Sequence, residues 1–372
     1  MNIAILSRGR PSKKNPTNGI FEYEQAFAMH KLVENVIFIS IDFSLRNFLI
    51  NKHIGMKICK NSRLLEYNIS IPISFLGDRI KDFVFMLYFG KIIRDLEKDE
   101  ISIDILHAHF YAIARYARII NRRYKLRYLV TEHSSNIIST TINRTAYNIY
   151  RNSELVIAVS PSLQKVIKDL YKLDNTIYIP NMVSKDTFSI NYNRDDRIFR
   201  FICIGDLNQN KNFIMAIKAY LMFHQLHKDV RLVIIGDGKE RRKLYLNSKG
   251  NKSISFLGLC SKAIVSKELS KSHCLISTSF KETFGVVIVE ALMSGIPVIA
   301  SKSGGPDSII DDSNGVLLET LEVDELVEKM EYVYSNYKIY DRQKIREDAI
   351  RKYSEENVSR LIYNQYEKTL FS

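Results

Sequence analysis

The sequence predicts an α/β protein with two doubly wound parallel sheets, one in each half of the chain. Short apolar runs alternate with longer amphipathic stretches along all 372 residues. The apolar runs lack the polar alternation of half-exposed strands, which is typical of strands that crossover helices cover on both faces. A chain of this length also favours two domains of about 150–200 residues each.

Predicted strands and helices alternate in both halves. In the first half, the predicted strands are Asn2–Leu6, Asn35–Ile41, Ile105–His107, Tyr128–Thr131, Leu155–Val159 and Thr176–Ile179. In the second half, they are Phe199–Ile204, Val230–Ile235, Ile254–Phe256, Cys274–Ser277 and Pro297–Ala300. Between them, helical patterns cover Phe21–Leu32, Phe83–Glu97, Arg144–Asn152, Ser162–Tyr171, Asn212–His224 and Phe284–Met293.

A polar, charged linker at Asn191–Arg197 marks the boundary between the halves, and Phe199–Ile204 then begins a new strand. We therefore expect a first domain at residues 1–190 and a second at residues 191–353. The final stretch, residues 354–372, has the pattern of one amphipathic helix with no strand after it.

The net charge of +13 is unevenly distributed. Residues 1–190 carry 27 Lys and Arg against 17 Asp and Glu, whereas residues 191–372 carry 27 against 24. The basic first half indicates an anionic partner, such as nucleic acid, an anionic membrane or a phosphorylated substrate.

Cysteine spacing and hydropathy exclude several classes of protein. The four cysteines form no C-x-x-C pair, so neither a zinc site nor a disulfide framework is predicted. No apolar signal-peptide core and no uncharged apolar run of about 18 residues is seen. We therefore expect a cytoplasmic protein.

The most informative segment is Ser279–Ala300. Its Thr283 is a candidate N-cap for a helix that begins near Phe284 or Gly285. Unpaired backbone N–H groups at Phe284, Gly285 and Val286 would then face the carboxyl end of the sheet, which is a suitable site for a phosphate group. An ordinary capped helix on the surface is the alternative.

Two glutamates flank this helix start, Glu282 before it and Glu290 about two turns into it. Acidic side chains do not bind phosphate, so the pair is better suited to hydroxyl groups. The segment resembles the signature of the family 4 glycosyltransferases, retaining enzymes of the GT-B fold, whose two glutamates have seven residues between them. Further agreement occurs in order at Ile204–Leu207, Lys211-Asn212, Ile235–Gly238, Phe256–Gly258, Gly304–Pro306 and Asn314-Gly315.

The resemblance implies a role for each of these side chains. Glu290 would bind the ribose hydroxyls of a nucleotide sugar, and Glu282 would contact the hydroxyls of the donor sugar. Lys211 would neutralise the diphosphate, because the leaving nucleoside diphosphate gains charge as the glycosidic bond breaks. The implied fold is two Rossmann-like domains facing across a cleft, with the C-terminal helix crossing back to the first domain.

One residue departs from the family pattern. The family usually has an arginine beside the phosphate-binding turn, where this chain has Asp206. Either another base substitutes for that arginine or Asp206 turns away from the diphosphate. Lys262 and Lys281 are the candidate replacements.

The loop Asn15–Phe21 follows the first strand and resembles the start of exopolysaccharide-type members of the family, in which its glycine, here Gly19, lies near the donor phosphates. A surface loop is the alternative. Among the histidines at strand ends, His133 matches the family's active-site histidine, and His107 is expected to pack structurally. Metal binding by His107, His109, His133 and Glu132 is an alternative, although enzymes of this fold generally need no bound metal.

The run Tyr111–Val130 contains six basic residues and no acidic residue. Nucleic-acid binding is disfavoured because no helix-turn-helix, RNP or zinc-finger pattern accompanies the run. A solvated helix face is one interpretation; contact of Arg118, Arg122 and Arg123 with anionic headgroups or a lipid-diphosphate acceptor is another. The apolar stretch Phe83–Phe89 is either a core helix or a membrane-interface helix.

The sequence therefore predicts a retaining hexosyltransferase-type glycosyltransferase that contacts the inner face of the cytoplasmic membrane. It would transfer a sugar from a nucleotide-diphosphate sugar to a hydroxyl of a glycan acceptor, expected to be lipid-linked, in cell-surface polysaccharide biosynthesis. No cofactor, no metal and no nucleic-acid partner is expected. The alternatives are a nucleotide-sugar epimerase of the same fold and a non-catalytic relative that binds sugar nucleotides.

Overall fold

The structure, a computed structural model, describes residues 1–12, 18–45, 49, 53–61, 63–137 and 141–371. The chain divides into two compact units. The first unit consists of Met1–Val159, Leu163–Met182 and Glu355–Ser372. The second unit consists of Ser160–Ser162 and Val183–Ser354.

The first unit contains an eight-stranded sheet with the strand order β3-β4-β2-β1-β5-β6-β7-β8. Its strands are β1 (Asn2–Ser7), β2 (Asn35–Asp42), β3 (Gly55–Asn61), β4 (Leu64–Ser70), β5 (Ile105–His109), β6 (Arg127–Glu132), β7 (Leu155–Ala158) and β8 (Thr176–Tyr178). The pairs are parallel apart from the edge strand β3, which runs antiparallel to β4.

The second unit contains a six-stranded parallel sheet with the order β11-β10-β9-β12-β13-β14. Its strands are β9 (Phe199–Ile204), β10 (Val230–Ile235), β11 (Ile254–Gly258), β12 (Cys274–Ser277), β13 (Val298–Ser301) and β14 (Gly315–Leu318). The predicted α/β class with two parallel sheets is confirmed.

The α-helices connect the strands in chain order. They are α1 (Ile20–Met29), α2 (Asp78–Lys98), α3 (Tyr111–Tyr124), α4 (Arg144–Tyr150), α5 (Pro161–Tyr171), α6 (Phe213–Leu226), α7 (Arg241–Asn247), α8 (Lys262–Ser270), α9 (Val286–Met293), α10 (Val323–Ser335), α11 (Arg342–Tyr353) and α12 (Glu355–Phe371). Within the described ranges, no helix combines the length and the apolarity that crossing a membrane requires.

The last helix, α12, belongs to the first unit because of its apolar face. Val358, Ile362 and Tyr366 recur every four residues, so they lie on one side of the helix. All three are buried in the core of the first unit, together with residues of β1 and α1 such as Ile3 and Met29. This packing places the end of the chain on the unit in which the chain begins.

The division between the units falls at Met182/Val183, before the predicted boundary at residue 190. The Val183 N–H donates to the Tyr353 carbonyl, and Val183 forms a β-bridge with Ser354. Phe188 is fully buried. These contacts tie residues 183–190 to the second unit, although their sequence has no strand or helix pattern.

Candidate functional site

In the second unit, the turn after β9 is fixed to the loop after β12. The Thr278 Oγ1 donates to the carbonyl of Lys211 at 3.0 Å or that of Asn212 at 3.1 Å. The Asn210 side chain donates to the Lys281 carbonyl at 2.8 Å and accepts from the Lys281 N–H at 3.1 Å. Because β9 and β12 are neighbours in the sheet, these bonds join the loops at the two strand ends into one surface.

Two of the predicted site residues meet at this surface. The Lys211 Nζ lies 2.5 Å from the Glu282 Oε2, and both side chains are about one-fifth exposed or less (21% and 16%). Glu282 is held by its backbone, which donates to the Ser303 carbonyl at 2.9 Å and accepts from the Gly305 N–H at 2.7 Å. The structure therefore brings the predicted cation and the first predicted glutamate into direct contact.

The helix α9 begins at Val286, and its N-cap is Gly285 rather than the predicted Thr283. Gly285 has φ +98°, a left-handed conformation that favours glycine and turns the chain into the helix. A Cβ atom on Gly305 would lie 2.4 Å from the Phe284 Cα, so glycine at 305 permits this loop to pack closely.

Backbone donors remain at this helix start. In the described part of the chain, the N–H groups of Phe284, Gly285 and Val286 donate to no protein acceptor. A helix start also carries partial positive charge, so it suits an anion. Glu290 lies further along α9 and is only 8% exposed, which is unusual for a glutamate.

Asp206, the departure from the family pattern, is exposed at the end of β9. Of the two candidate replacements for the missing arginine, Lys281 is exposed and belongs to the loop that Asn210 fixes. The Lys262 Nζ lies 6.0 Å from the ring centroid of Phe188. Lys281 is thus the candidate that neighbours Glu282.

In the first unit, His133 follows β6 and lies within a group of rings. Its Nε2 is 2.9 Å from the His109 Nδ1, and its ring lies 4.9 Å from Phe110 and 5.8 Å from Phe21, centroid to centroid. Burial lowers the pKa of His133 to about 3, and the positive charge of Arg8 acts in the same direction. The imidazole is therefore neutral at physiological pH.

Glu132 positions the loop that carries His133. Its Oε1 accepts from the N–H groups of His133 (3.0 Å) and Ser134 (2.7 Å), and its Oε2 accepts from the Tyr111 N–H (2.9 Å) and the Tyr150 hydroxyl (2.6 Å). Burial raises the pKa of Glu132, and these four hydrogen bonds oppose that shift. The sequence suggests Glu132 only as a candidate metal ligand, because two of its partners, Tyr111 and Tyr150, are distant in the chain.

His107 is fully buried and has a structural role, as predicted from the sequence. Its Nδ1 lies 2.6 Å from the Tyr366 hydroxyl and 3.0 Å from the Gln25 Nε2, while its Nε2 lies 2.7 Å from the Thr131 Oγ1. The histidine thereby links β5 to α1, β6 and α12. Among the described residues, no group of three His, Cys, Asp or Glu side chains is arranged to hold a metal ion.

Gly19 lies immediately before α1, with φ +67°. A Cβ atom at this position would lie 2.2 Å from the Gly9 carbonyl oxygen, so only glycine allows the loop after β1 to pack against the helix start. Residues 15–17 of the predicted loop lie outside the described residues.

The three predicted basic residues of the first unit lie on α3. Arg122 and Arg123 are exposed in its last turn, where cations interact favourably with the helix dipole. Arg118 is half-buried one turn earlier. The opposite face of α3 is buried and includes Tyr116 and Ile120. The basic residues are therefore outside the core.

Two family models match consecutive parts of the chain. The model for glycosyl transferases group 1 matches residues 184–352, and the model for glycosyltransferase family 4 matches residues 58–187. Together they extend from β3 to α11 and include Lys211, Glu282, Glu290 and His133.

Several known proteins are similar to this chain in sequence or in fold. An uncharacterized glycosyltransferase of Methanocaldococcus jannaschii is 28% identical over 243 residues, which are 63% of this chain and just under two thirds (66%) of that protein. Alpha-monoglucosyldiacylglycerol synthase of Acholeplasma laidlawii is 22% identical over 295 residues, 70% of this chain and 73% of that protein. The crystal structure of Anabaena HepE in complex with UDP-glucose superposes with a TM-score of 0.73 at 18% identity, covering 99% of this chain and 100% of that one.

Proposed function

The chain belongs to the family 4 glycosyltransferases, has the GT-B fold and is a transferase of the EC 2.4 class; on this premise we propose the reaction that it catalyses. It transfers a sugar, with retention of anomeric configuration, from a nucleotide-diphosphate sugar to a hydroxyl of a glycan acceptor. The acceptor is lipid-linked, and the product serves cell-surface polysaccharide biosynthesis. The observation that carries the proposal is the contact between Lys211 and Glu282 in the same unit as α9.

The donor diphosphate binds to Lys211 and to the N–H groups at the start of α9. Lys211 neutralises the charge that develops on the leaving diphosphate, and this stabilisation is largest in the transition state. Because Lys211 supplies a fixed positive charge, the reaction needs no bound metal. The positions of these groups in the second unit support this proposal.

The two glutamates bind hydroxyl groups of the donor. Glu290, inside α9, takes the ribose hydroxyls, and Glu282 takes hydroxyls of the transferred sugar. Each carboxylate can accept two hydrogen bonds from neighbouring hydroxyls, which fixes the orientation of the sugar. Binding of the diphosphate to Lys211 releases Glu282 from its ion pair, so donor binding completes the site.

His133 hydrogen-bonds a hydroxyl of the donor sugar or of the incoming acceptor. Its low pKa supports this proposal, since a neutral imidazole can accept a hydrogen bond from a hydroxyl at one nitrogen and donate one at the other. In the structure its Nε2 is bonded to His109, so engagement of a hydroxyl by this atom requires an exchange of partner. The acceptor hydroxyl attacks the anomeric carbon from the face that the diphosphate leaves and gives its proton to the departing diphosphate, which accounts for retention without a protein nucleophile.

The lipid-linked acceptor places the protein on an anionic membrane surface, with Arg118, Arg122 and Arg123 towards the headgroups. The excess of basic residues in the first half supports this orientation. The alpha-monoglucosyldiacylglycerol synthase among the relatives is named for a glycolipid product, which supports a lipid acceptor here.

The experiment that tests the reaction follows donor turnover by NMR. Purified protein is incubated with UDP-, GDP-, ADP- and dTDP-sugars and an extract of lipid-linked glycans, and the anomeric signals of donor and product are compared. The proposal expects release of free nucleotide and a product with the anomeric configuration of the donor. Inversion of configuration, or epimerised donor without free nucleotide, would contradict it.

A further inference from the structure

Helix α2 of the first unit has one buried face. Another face carries a line of large apolar side chains that are exposed to solvent. Its buried residues are Phe85, Phe89, Ile92 and Leu96. Ile80, Phe83 and Leu87 are 47%, 64% and 53% exposed. Their spacing of three and four residues places them in one line along the helix. Packing of the first unit does not account for this line, because its members lie outside the core.

The same line continues as a row of basic residues. Lys91, Arg94 and Lys98 follow Leu87 at intervals of four, three and four residues, and all three are exposed. The line thus has an apolar half towards the start of α2 and a basic half towards its end. We call these six residues, from Ile80 to Lys98, the α2 stripe.

The acidic residues in the first turns of α2 form ion pairs with the neighbouring helix α3. Arg115 of α3 lies 2.7 Å from an Asp78 carboxylate oxygen and 2.5 Å from one of Asp82. These ion pairs attach α3 to α2. Asp78 and Asp82 precede the buried Phe85 and Phe89 by seven residues, so they lie on the buried side of α2 and not in the stripe.

We propose that the α2 stripe docks on an anionic lipid bilayer. The three apolar side chains enter the interface between headgroups and acyl chains, and the three basic side chains contact lipid phosphates. An apolar half next to a basic half is typical of interfacial helices, in which burial of apolar side chains and attraction to anionic lipids act together. The inference rests on the proposed function in one respect: a lipid-linked acceptor is found at such a surface.

Charge complementarity favours a bilayer over a second copy of this chain. In an antiparallel pairing, the apolar half of one stripe would face the basic half of the other, and burying Lys91 or Arg94 without a partner is unfavourable. In a parallel pairing, the two basic rows would face each other and repel. An anionic bilayer satisfies both halves of the stripe at once.

The sequence contains no tryptophan, so a single introduced tryptophan reports on the stripe alone. Phe83→Trp is mixed with vesicles of 70% phosphatidylcholine and 30% phosphatidylglycerol. The matched control is Leu246→Trp, at a 67% exposed position on α7 of the second unit. We expect a blue-shifted emission and quenching by brominated lipids for Phe83→Trp only. Unshifted emission, or an equal shift for both variants, would overturn the proposal.

Loss of binding is measured separately by vesicle sedimentation. Leu87→Ser combined with Phe83→Ser should weaken binding by about tenfold or more, because burial of two large side chains is lost. Lys91→Gln with Arg94→Gln should remove the preference for anionic over pure phosphatidylcholine vesicles. Unchanged binding in both double variants would contradict the proposal, as would concentration-dependent dimers that the serine variant abolishes.

Nucleotide binding distinguishes this inference from the proposed function. UDP and GDP affinities of the three α2 variants should remain within about twofold of the wild type, since α2 is in the first unit and the donor residues are in the second. If vesicle binding behaves as expected while no nucleotide binds, the docking surface stands and the proposed reaction fails. If nucleotides bind and no variant affects vesicle binding, the docking surface fails and the proposed nucleotide site stands.

Discussion

The Lys211 Nζ and the Glu282 Oε2 lie 2.5 Å apart in the second unit, although 70 residues separate them in the chain. The Asn210 side chain, bonded to Lys281, holds their two loops together. This partly buried ion pair holds both side chains in place before a substrate arrives. We interpret Lys211 as the cation that binds a diphosphate. Glu282 holds the Lys211 side chain in place until the donor binds and displaces the carboxylate.

Replacement of Lys211 should weaken nucleotide diphosphate binding. Lys211→Met removes the charge and leaves Glu282 without its partner, so we expect a loss of about 10–100-fold, the effect of one charge-assisted hydrogen bond. Isothermal titration calorimetry with UDP and GDP measures it. The control is Lys271→Met, which breaks the ion pair with Glu268 in the same unit and should leave the affinity unchanged. Equal effects of the two variants would show that Lys211 has no special role.

Replacement of Glu282 should have a different effect on binding. Glu282→Gln removes the carboxylate that competes for Lys211, so free nucleotide diphosphate should bind at least as tightly as to the wild type. Affinity for the nucleotide sugar relative to the free nucleotide should fall, because one hydroxyl contact is weakened, and transfer should slow by about 100-fold or more. Parallel titrations with UDP and a UDP-sugar test this. Weaker binding of both ligands to the same degree would contradict the role given to Glu282.

Two glycine substitutions should change stability in opposite directions. In Gly305→Ala, the added Cβ would lie 2.4 Å from backbone atoms of Phe284, so the loop before α9 must shift; we expect a loss of about 1–3 kcal/mol and weaker nucleotide binding. Gly90→Ala, inside α2, meets no atom within 4 Å and should stabilise the protein by about 0.5–1 kcal/mol. Urea unfolding of both variants measures the difference. If Gly305→Ala left the free energy of unfolding unchanged, the loop would tolerate a side chain at this position, contrary to the prediction.

Stability should fall as the pH is lowered from 7 to 5. Burial lowers the pKa of His107 to about 3 from an ordinary value of 6.5, so the unfolded chain binds a proton in this window and the folded chain does not. Stability then rises with pH, by up to about 1.4 kcal/mol per pH unit for one such group. His107→Gln should reduce the difference between urea midpoints at pH 7 and pH 5. The control His53→Gln, at an exposed position, should leave the difference between the two midpoints unchanged. An equal reduction in both variants would contradict this explanation.

The strands that carry the site were predicted because their sequences are continuous apolar runs. The runs Phe199–Ile204 and Cys274–Ser277 match β9 and β12 at both ends. The hairpin of β3 and β4 was not predicted. The edge strand β3 has no continuous apolar run, because the exposed Lys57 and Lys60 interrupt it. The apolar run of β4 is interrupted by Glu66 and Asn68.

The site was predicted only in part. Local spacing identified Glu282, Glu290 and the helix start, but placed the cap on Thr283, because a threonine before a helix is a common signal whereas the left-handed turn at Gly285 depends on loop packing. The hydrogen bonds of Glu132 join segments that folding brings together, so no local pattern reveals them.

A thermal-shift comparison of wild-type protein with Lys211→Met tests the central claim most directly. Both proteins are screened against UDP-, GDP-, ADP- and dTDP-sugars at the same concentrations. A ligand that binds only the folded state raises the melting temperature. We predict that at least one nucleotide sugar stabilises the wild type and that Lys211→Met loses most of this stabilisation while melting normally without ligand. No stabilisation by any donor, or equal stabilisation of both proteins, would contradict a donor site at Lys211 and the start of α9.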